Sequence, residues 1–387
     1  MADLRAPSYE APTLASVLPS VAASLEVAVA PQGLATVPRL ALPPARRAVV
    51  VLVDGLGDDL LRRRGGHAPF LRSLLPHGHS VPSGFPSTTA TSMGTFGTGL
   101  PPGSHGLLGY QVLVPGEDRL LNELSWEDGP VPEAWQPHRT VFELAERAGV
   151  PVTRIGPGFF DGSGLTRAAL RGGRFAAGDR LDARVDIALS CVRATDRALV
   201  YLYWGELDKV GHVHGPDGLE WGEELESLDR ELGRLAAGLP ADASLTITAD
   251  HGMISCPHDE RLDVGTDPVL AAGVRHVGGE PRALQLYCEP GARDEVLATW
   301  TDRLGERALV RTREEVLAEG WFGPVEDRNL ARVGDVVVAM RDHFAVVDSR
   351  SQRPELLALL GLHGSLTPAE TTVPVLHVPA RSAGAPG

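Results

Sequence analysis

Three short apolar runs constrain this chain more than any other feature: RAVVVLVD (47–54), ALVYLYW (198–204) and SLTITAD (244–250). Each is rich in β-branched or aromatic residues and bounded by turn residues, and the first two are nearly continuous apolar runs, the pattern of a strand covered on both faces. Between and beyond them lie segments with helical spacing, among them TVFELAERAGV (140–150) and the strongly amphipathic WGEELESLDRELGRLAAGL (221–239). Strands alternating with helices predict an α/β fold with a largely parallel central sheet and helices on both faces. Asp54 and Asp250 close two of the runs, and Asp208 lies just past the third. All three acids are therefore expected at the carboxyl ends of parallel strands, where such sheets gather their ligands.

At 387 residues the chain is long enough for one large domain with an insertion. Residues 1–45, rich in Ala and Pro, read as a lead-in with a short helix near 13–24. Residues 46–255 read as the catalytic α/β core, with PVTRIG as a further strand. Residues 256–360 change character: RALQLYCE, GDVVVAMRD and HFAVVDS are short separated strands, with helical stretches at 292–304 and 312–319. They predict an inserted cap subdomain, after which 361–378 returns to the core and 379–387 forms a disordered tail.

A net charge of -14 disfavours stable binding to nucleic acid or to an anionic membrane. It also opposes an anionic substrate, unless bound divalent cations reverse the local field. Three scattered cysteines, Cys191, Cys256 and Cys288, imply no disulfide framework. The first residues lack the basic start and apolar core of a signal peptide, and no stretch is long enough to span a bilayer, so a cytoplasmic protein is expected. The sole lysine, Lys209, sits in no GxxxxGK[ST] pattern, which excludes a P-loop.

The chemistry gathers in four places: Asp54–Gly55, GELDKVGHVHGP with Asp208 and His212, TADHGM with Asp250 and His251, and GLHGS with His363. Singly, each has an ordinary reading as a turn, a surface pair or a solvated loop histidine. Together they supply three carboxylates and three imidazoles, which would fill two catalytic metal sites, each with a position left open. His214 is an alternative to His212, and His105 is expected to fix a turn. Ser87, Thr88, Thr89, Thr91 and Ser92 precede a small-residue stretch that could begin a helix. A hydroxyl there could act as a nucleophile or simply cap the helix.

Taken in order, these elements resemble the alkaline phosphatase superfamily and, within it, the type I phosphodiesterase/nucleotide pyrophosphatase family. The matching residues are the strand ending in Asp54–Gly, the Thr-rich segment running into TGLPPGSHG, ExDxxGHxxGP at 206–216, DHGM at 250–253 and GLHG at 361–364. The resemblance implies an alkaline-phosphatase-like fold. It selects Thr89, nine positions before Thr98, as the nucleophile that forms a phosphothreonine. It assigns Asp54, Asp250, His251 and Thr89 to one divalent ion and Asp208, His212 and His363 to another, with zinc expected and manganese compatible. One position departs from the family: Tyr110 stands where an Asn usually helps to hold a phosphoryl oxygen, and Tyr110 or Gln111 would have to donate instead. The implied activity is hydrolysis of a small phosphoric ester, with a nucleotide-type diester or pyrophosphate as substrate. The alternatives are a phosphomonoesterase of the same superfamily and a catalytically silent binding protein that keeps the fold. Oligomeric state has no signature in the sequence.

Overall fold

The computed structural model describes residues 4–29 and 38–381. Parts of the lead-in (1–3 and 30–37) and of the expected tail (382–387) lie outside the described residues.

Strand β1 (Arg47–Val53) forms the centre of a seven-stranded sheet. The other strands are β2 (His79–Pro82), β3 (Val152–Gly156), β4 (Arg174–Ala177), β5 (Ala198–Trp204), β6 (Ala243–Ala249) and, from the end of the chain, β11 (Thr372–Val378). Their order is β2-β11-β6-β1-β5-β3-β4. The five strands from β6 to β4 run parallel, whereas β11 is antiparallel to both β6 and β2. Six of the seven residues of β1 are buried, which is why it reads as an unbroken apolar run, and every residue of β6 is buried, Ser244, Thr246 and Thr248 included. Helices flank the sheet.

The helix expected in the lead-in is α1 (Leu14–Ser24), opened by a capping box between Thr13 and Ser16. It is no loose appendage. Leu14, Val17, Leu18 and Val21 are buried in the main hydrophobic cluster, and the helix packs on α2 (Thr89–Thr98), whose last turn ends at Gly99. Two further helices matter for the site. They are α3 (Glu206–His214), which follows β5, and α4 (Leu219–Gly238), which buries Trp221, Leu225, Leu228 and Leu232 along one side.

Between β6 and β11 the chain builds a separate four-stranded antiparallel sheet from β7 (Val274–Glu280), β8 (Ala283–Cys288), β9 (Ala308–Thr312) and β10 (Val336–Met340), in the order β7-β8-β10-β9. It has its own apolar cluster around Trp300, Leu284, Leu286 and Val338. Arg282, at the turn between β7 and β8, ties this sheet to the core by a fully buried bidentate pair with Glu370. A two-residue bridge, Gly361–Leu362 on Ile254–Ser255, then returns the chain to the catalytic face.

Candidate metal centre and active site

The parallel sheet brings the acids together at one edge. Asp54 leaves β1 with its amide still bonded to the Trp204 carbonyl (2.8 Å), and Asp250 leaves β6 fully buried. Asp208 and His212 stand one turn apart on α3, with Nε2 of His212 3.2 Å from Oδ2 of Asp208. The close approach of β1 and α3 needs Gly55: its φ is +74°, and a Cβ there would lie 3.0 Å from Cα of Asp208. His363 reaches the same spot because its loop is stitched to α3, the Leu360 amide donating to the His212 carbonyl at 2.7 Å. The structure thus gathers Asp54, Asp208, His212, Asp250, His251 and His363 into one cluster.

Thr89 opens α2 and points its hydroxyl into this cluster, 3.2 Å from Nε2 of His251 and 3.5 Å from Oδ2 of Asp54. The preceding Thr88 holds the N-cap position, yet its side chain makes no capping bond. It turns instead to Glu280. Ser87 and Ser92 fix loops, donating to the Ser365 and Asp250 carbonyls, both at 2.8 Å, whereas the buried Thr91 hydroxyl has no partner.

All three imidazoles are oriented alike. Nδ1 of His212 lies 2.7 Å from the Gly361 carbonyl, that of His251 3.0 Å from the Gly252 carbonyl, and that of His363 2.9 Å from the Ser87 carbonyl. A carbonyl can only accept, so each Nδ1 carries a proton, and each ring, once neutral, would present the lone pair of Nε2 to a cation. Those Nε2 atoms face carboxylates: His251 stands 3.3 Å from Asp54 and 3.4 Å from Asp250, and His363 stands 3.9 Å from Asp208. Oδ1 of Asp54, Oδ1 of Asp208 and Oδ2 of Asp250 are buried and have no hydrogen-bond partner. Leaving three such oxygens unpaired is costly in a folded protein unless cations complete them.

The titration behaviour points the same way. Burial, then Asp250 and Asp208, push the Asp54 carboxyl well above the usual range. Burial and Asp208 push Asp250 up to about 7. Asp208 is the exception: burial would raise it, but His212, His363 and His251 hold it below its ordinary value. Burial disfavours the charged form of His212, and Asp208 outweighs this to bring its pKa to about 9. Burial and the neighbouring His251 depress His363.

Ligand atoms of Asp208, His212 and His363 lie within 4.8 Å of one another, and so do those of Asp54, Asp208 and His251. Asp208 stands between the two groups. Asp250, assigned to the Asp54 ion by the resemblance, presents its free oxygen to the same His251 nitrogen. The donor set therefore fits divalent metal binding, with two candidate ligand groups that share Asp208.

Four residues near the site escape a reading of sequence alone. Tyr203, inside the β5 run, donates its hydroxyl to Oδ2 of Asp54. Glu280, at the end of β7, reaches in from the insertion to within 3.4 Å of Nδ1 of His363, and burial raises its carboxyl to about 8. Arg154 and Asn122 line the adjoining cavity together with Tyr110, Thr89 and the exposed ring of Phe159. That cavity encloses about 690 Å³. His105 lies elsewhere, buried against Thr95 and the Leu107 amide, where it fixes a turn. His214 is half-exposed beside Glu220.

A strand-end cluster of carboxylates and imidazoles facing a helix-borne hydroxyl is an arrangement that suits a metal-dependent phosphoryl-transfer enzyme. The chain belongs to the type I phosphodiesterase/nucleotide pyrophosphatase family, whose model matches residues 48–366. It is 28% identical over 217 residues to an uncharacterized pyrophosphatase/phosphodiesterase of Schizosaccharomyces pombe, covering 53% of this chain and 44% of that protein. The match thus spans less than half the length of that curated relative. In fold it is similar to an inactive variant of murine ectonucleotide pyrophosphatase/phosphodiesterase 5 in complex with AMP, with a TM-score of 0.69 and 20% identity over 87% of this chain and 90% of that one. It is also similar to phosphonoacetate hydrolase of Sinorhizobium meliloti, with a TM-score of 0.65 and 20% identity over 87% and 91% of the two chains. Among the described residues no helix is long and apolar enough to cross a membrane.

Proposed function

We propose that this chain hydrolyses phosphodiester or pyrophosphate bonds of nucleotide-type substrates, with Thr89 as nucleophile. The observation that carries the reading is the shared orientation of the three imidazoles, which turns every Nε2 toward carboxylates with unpaired oxygens beside the Thr89 hydroxyl. Asp54, Asp250 and His251, with Thr89, would hold one divalent cation, and Asp208, His212 and His363 a second, zinc being the expected metal and manganese compatible. Such ions supply charge neutralisation at the phosphoryl oxygens and make a nearby hydroxyl more acidic. Thr89 Oγ1 then attacks phosphorus, the ester or anhydride oxygen departs with the organic group, and water cleaves the resulting phosphothreonine.

The chain's own residues set up this step. Tyr203 fixes one face of Asp54, and Tyr110, at the cavity wall, offers a hydroxyl where relatives carry an amide. The cavity is large enough for an organic substituent and is walled by Phe159, Phe160 and Phe175, which suits a nucleoside. The AMP bound to the murine structure supports that substrate class. We read residues 256–360 as a cap that shapes this cavity, and 361–378 as the return that delivers His363. Three free cysteines suit a cytoplasmic setting.

The test compares p-nitrophenyl phosphate, bis-p-nitrophenyl phosphate and a dinucleotide pyrophosphate in metal-replete buffer. A diester or pyrophosphate preference of tenfold or more, about 1.4 kcal/mol in the transition state, is expected. Thr89→Ala should lower hydrolysis by at least about 1,000-fold while two metals stay bound. Hydrolysis undiminished in that variant would refute the assignment of the nucleophile.

A further inference from the structure

Arg154 is a buried cation that makes no salt bridge. It sits on β3, in register with Tyr201 of β5 on one side and Phe175 of β4 on the other. Only 8% of the residue is exposed. Its Nε and Nη1 are buried and make no hydrogen bond, and Nη2 has only the Gly173 carbonyl at 3.5 Å, the limit of the range. Asp161 and Glu146 act on it through space, yet neither bonds to its Nε or Nη1. The Phe175 ring lies 5.7 Å from the guanidinium carbon and covers one side of the group.

The other buried arginines are treated differently. Arg282 is paired with Glu370 on two nitrogens. Arg184 donates to the Gly178, Tyr203 and Asp179 carbonyls. Arg154 differs in one further respect: it lines the cavity that contains Thr89. A desolvated guanidinium with two idle N–H edges is unfavourable in the resting protein and becomes favourable when an oxyanion fills the fork.

We propose that Arg154 receives a second anionic group of the substrate, a carboxylate or a further phosphate, distinct from the phosphoryl group that reacts at Thr89. The idea rests on the function proposed above and narrows it: the preferred substrate carries a negative charge on the part that occupies the cavity. Planar, bidentate recognition of an oxyanion is what the guanidinium offers and a lysine would not.

The test is calorimetric binding to the metal-loaded protein of three alkyl phosphonates of equal length, ending in a methyl, a carboxylate or a second phosphonate. The wild type should bind one or both anionic probes at least tenfold more tightly than the methyl probe, and the stronger of the two identifies the oxyanion. Arg154→Met should abolish this preference and leave the affinity for the methyl probe unchanged. Arg154→Lys should keep part of it. Removing an unpaired buried charge should not lower the melting temperature of the Met variant, which separates loss of recognition from loss of fold. The proposal is overturned if the wild type binds all three probes equally, or if the preference survives Arg154→Met. Equal binding of all three leaves the Thr89 reading intact, whereas no phosphonate binding at all overturns both.

Discussion

Replacing Tyr203 by Phe should weaken one of the two proposed metal sites and spare the other. The Tyr203 hydroxyl is the donor that holds Oδ2 of Asp54, while Oδ1 of the same carboxylate has no partner. Burial, then Asp54, raises the phenol well above its ordinary pKa, so it remains a donor at any working pH. A hydrogen bond to an ionised carboxylate contributes roughly 1.5–3 kcal/mol. At about 1.4 kcal/mol per decade, its loss corresponds to roughly a 10- to 100-fold rise in the dissociation constant, the range typical for groups that orient metal ligands. The ring itself is kept, so its edge contact with Phe160 at 5.5 Å persists and the cavity wall should not collapse. Competition with a chromophoric zinc chelator resolves the two binding steps. One constant should rise by that factor, and the other, belonging to Asp208, His212 and His363, should hold, because Tyr203 bonds to none of them. Two unchanged constants would refute the role given to Tyr203, and an equal fall in both affinities would refute the division into two sites.

Two other outcomes follow from the buried charges. Without metal, Asp54 and Glu280 hold protons that an unfolded chain releases near pH 4, and His212, raised to about 9, holds one that is otherwise lost near pH 6.5. The native state therefore binds more protons than the unfolded state between about pH 6.5 and 8, and stability should fall as pH rises, by about 1.4 kcal/mol per pH unit for each full proton held. His363, depressed by burial, opposes the slope only near the lower end of this window, where the unfolded imidazole is still partly protonated. Saturating zinc should flatten the slope, and urea unfolding with identical slopes in zinc and in chelator would contradict the cation cradle. Separately, Arg282→Met strands the Glu370 carboxylate, which also accepts from the Ser365 amide at 3.0 Å and is wholly buried. The expected loss is about 3–5 kcal/mol by urea denaturation, largely recovered by adding Glu370→Leu. A single variant as stable as the wild type would show the pair to be dispensable.

How far the molecule is legible in its sequence depends on what buries each part. The runs that became β1, β5 and β6 lie within a residue of the strand bounds, because their β-branched and aromatic residues stand out from the turn-rich segments around them. The antiparallel margin went unread for the opposite reason. In β2, HSVP exposes its first two residues, and β11 has Pro374 in its middle, so neither resembles a buried strand. β7 was also missed: VRHVGGE contains Gly278 and Gly279 and only its last three residues are buried. That omission hid Glu280, the acid that the insertion carries to the metal cluster.

The site divides along the same line. Few side chains can hold a divalent cation, so Asp54, Asp208, His212, Asp250, His251 and His363 carry a chemical signature wherever they stand. The groups that aim them carry none. The acceptors for the three Nδ1 protons are the carbonyls of Ser87, Gly252 and Gly361, and any residue could supply a carbonyl. Tyr203 and Arg154 lie in strands whose composition already explained them as sheet formers. Only the order β1-β5-β3-β4 sets Tyr203 against Asp54 and places Arg154 between Tyr201 and Phe175. Ligand identity is thus a local property that spacing can reveal, whereas ligand orientation and charge left idle in a cavity belong to the sheet order. The candidate Asp and His donors and the candidate nucleophile Thr89 are legible in the sequence, whereas the roles proposed for Tyr203 and Arg154 are not, because they exist only across strands.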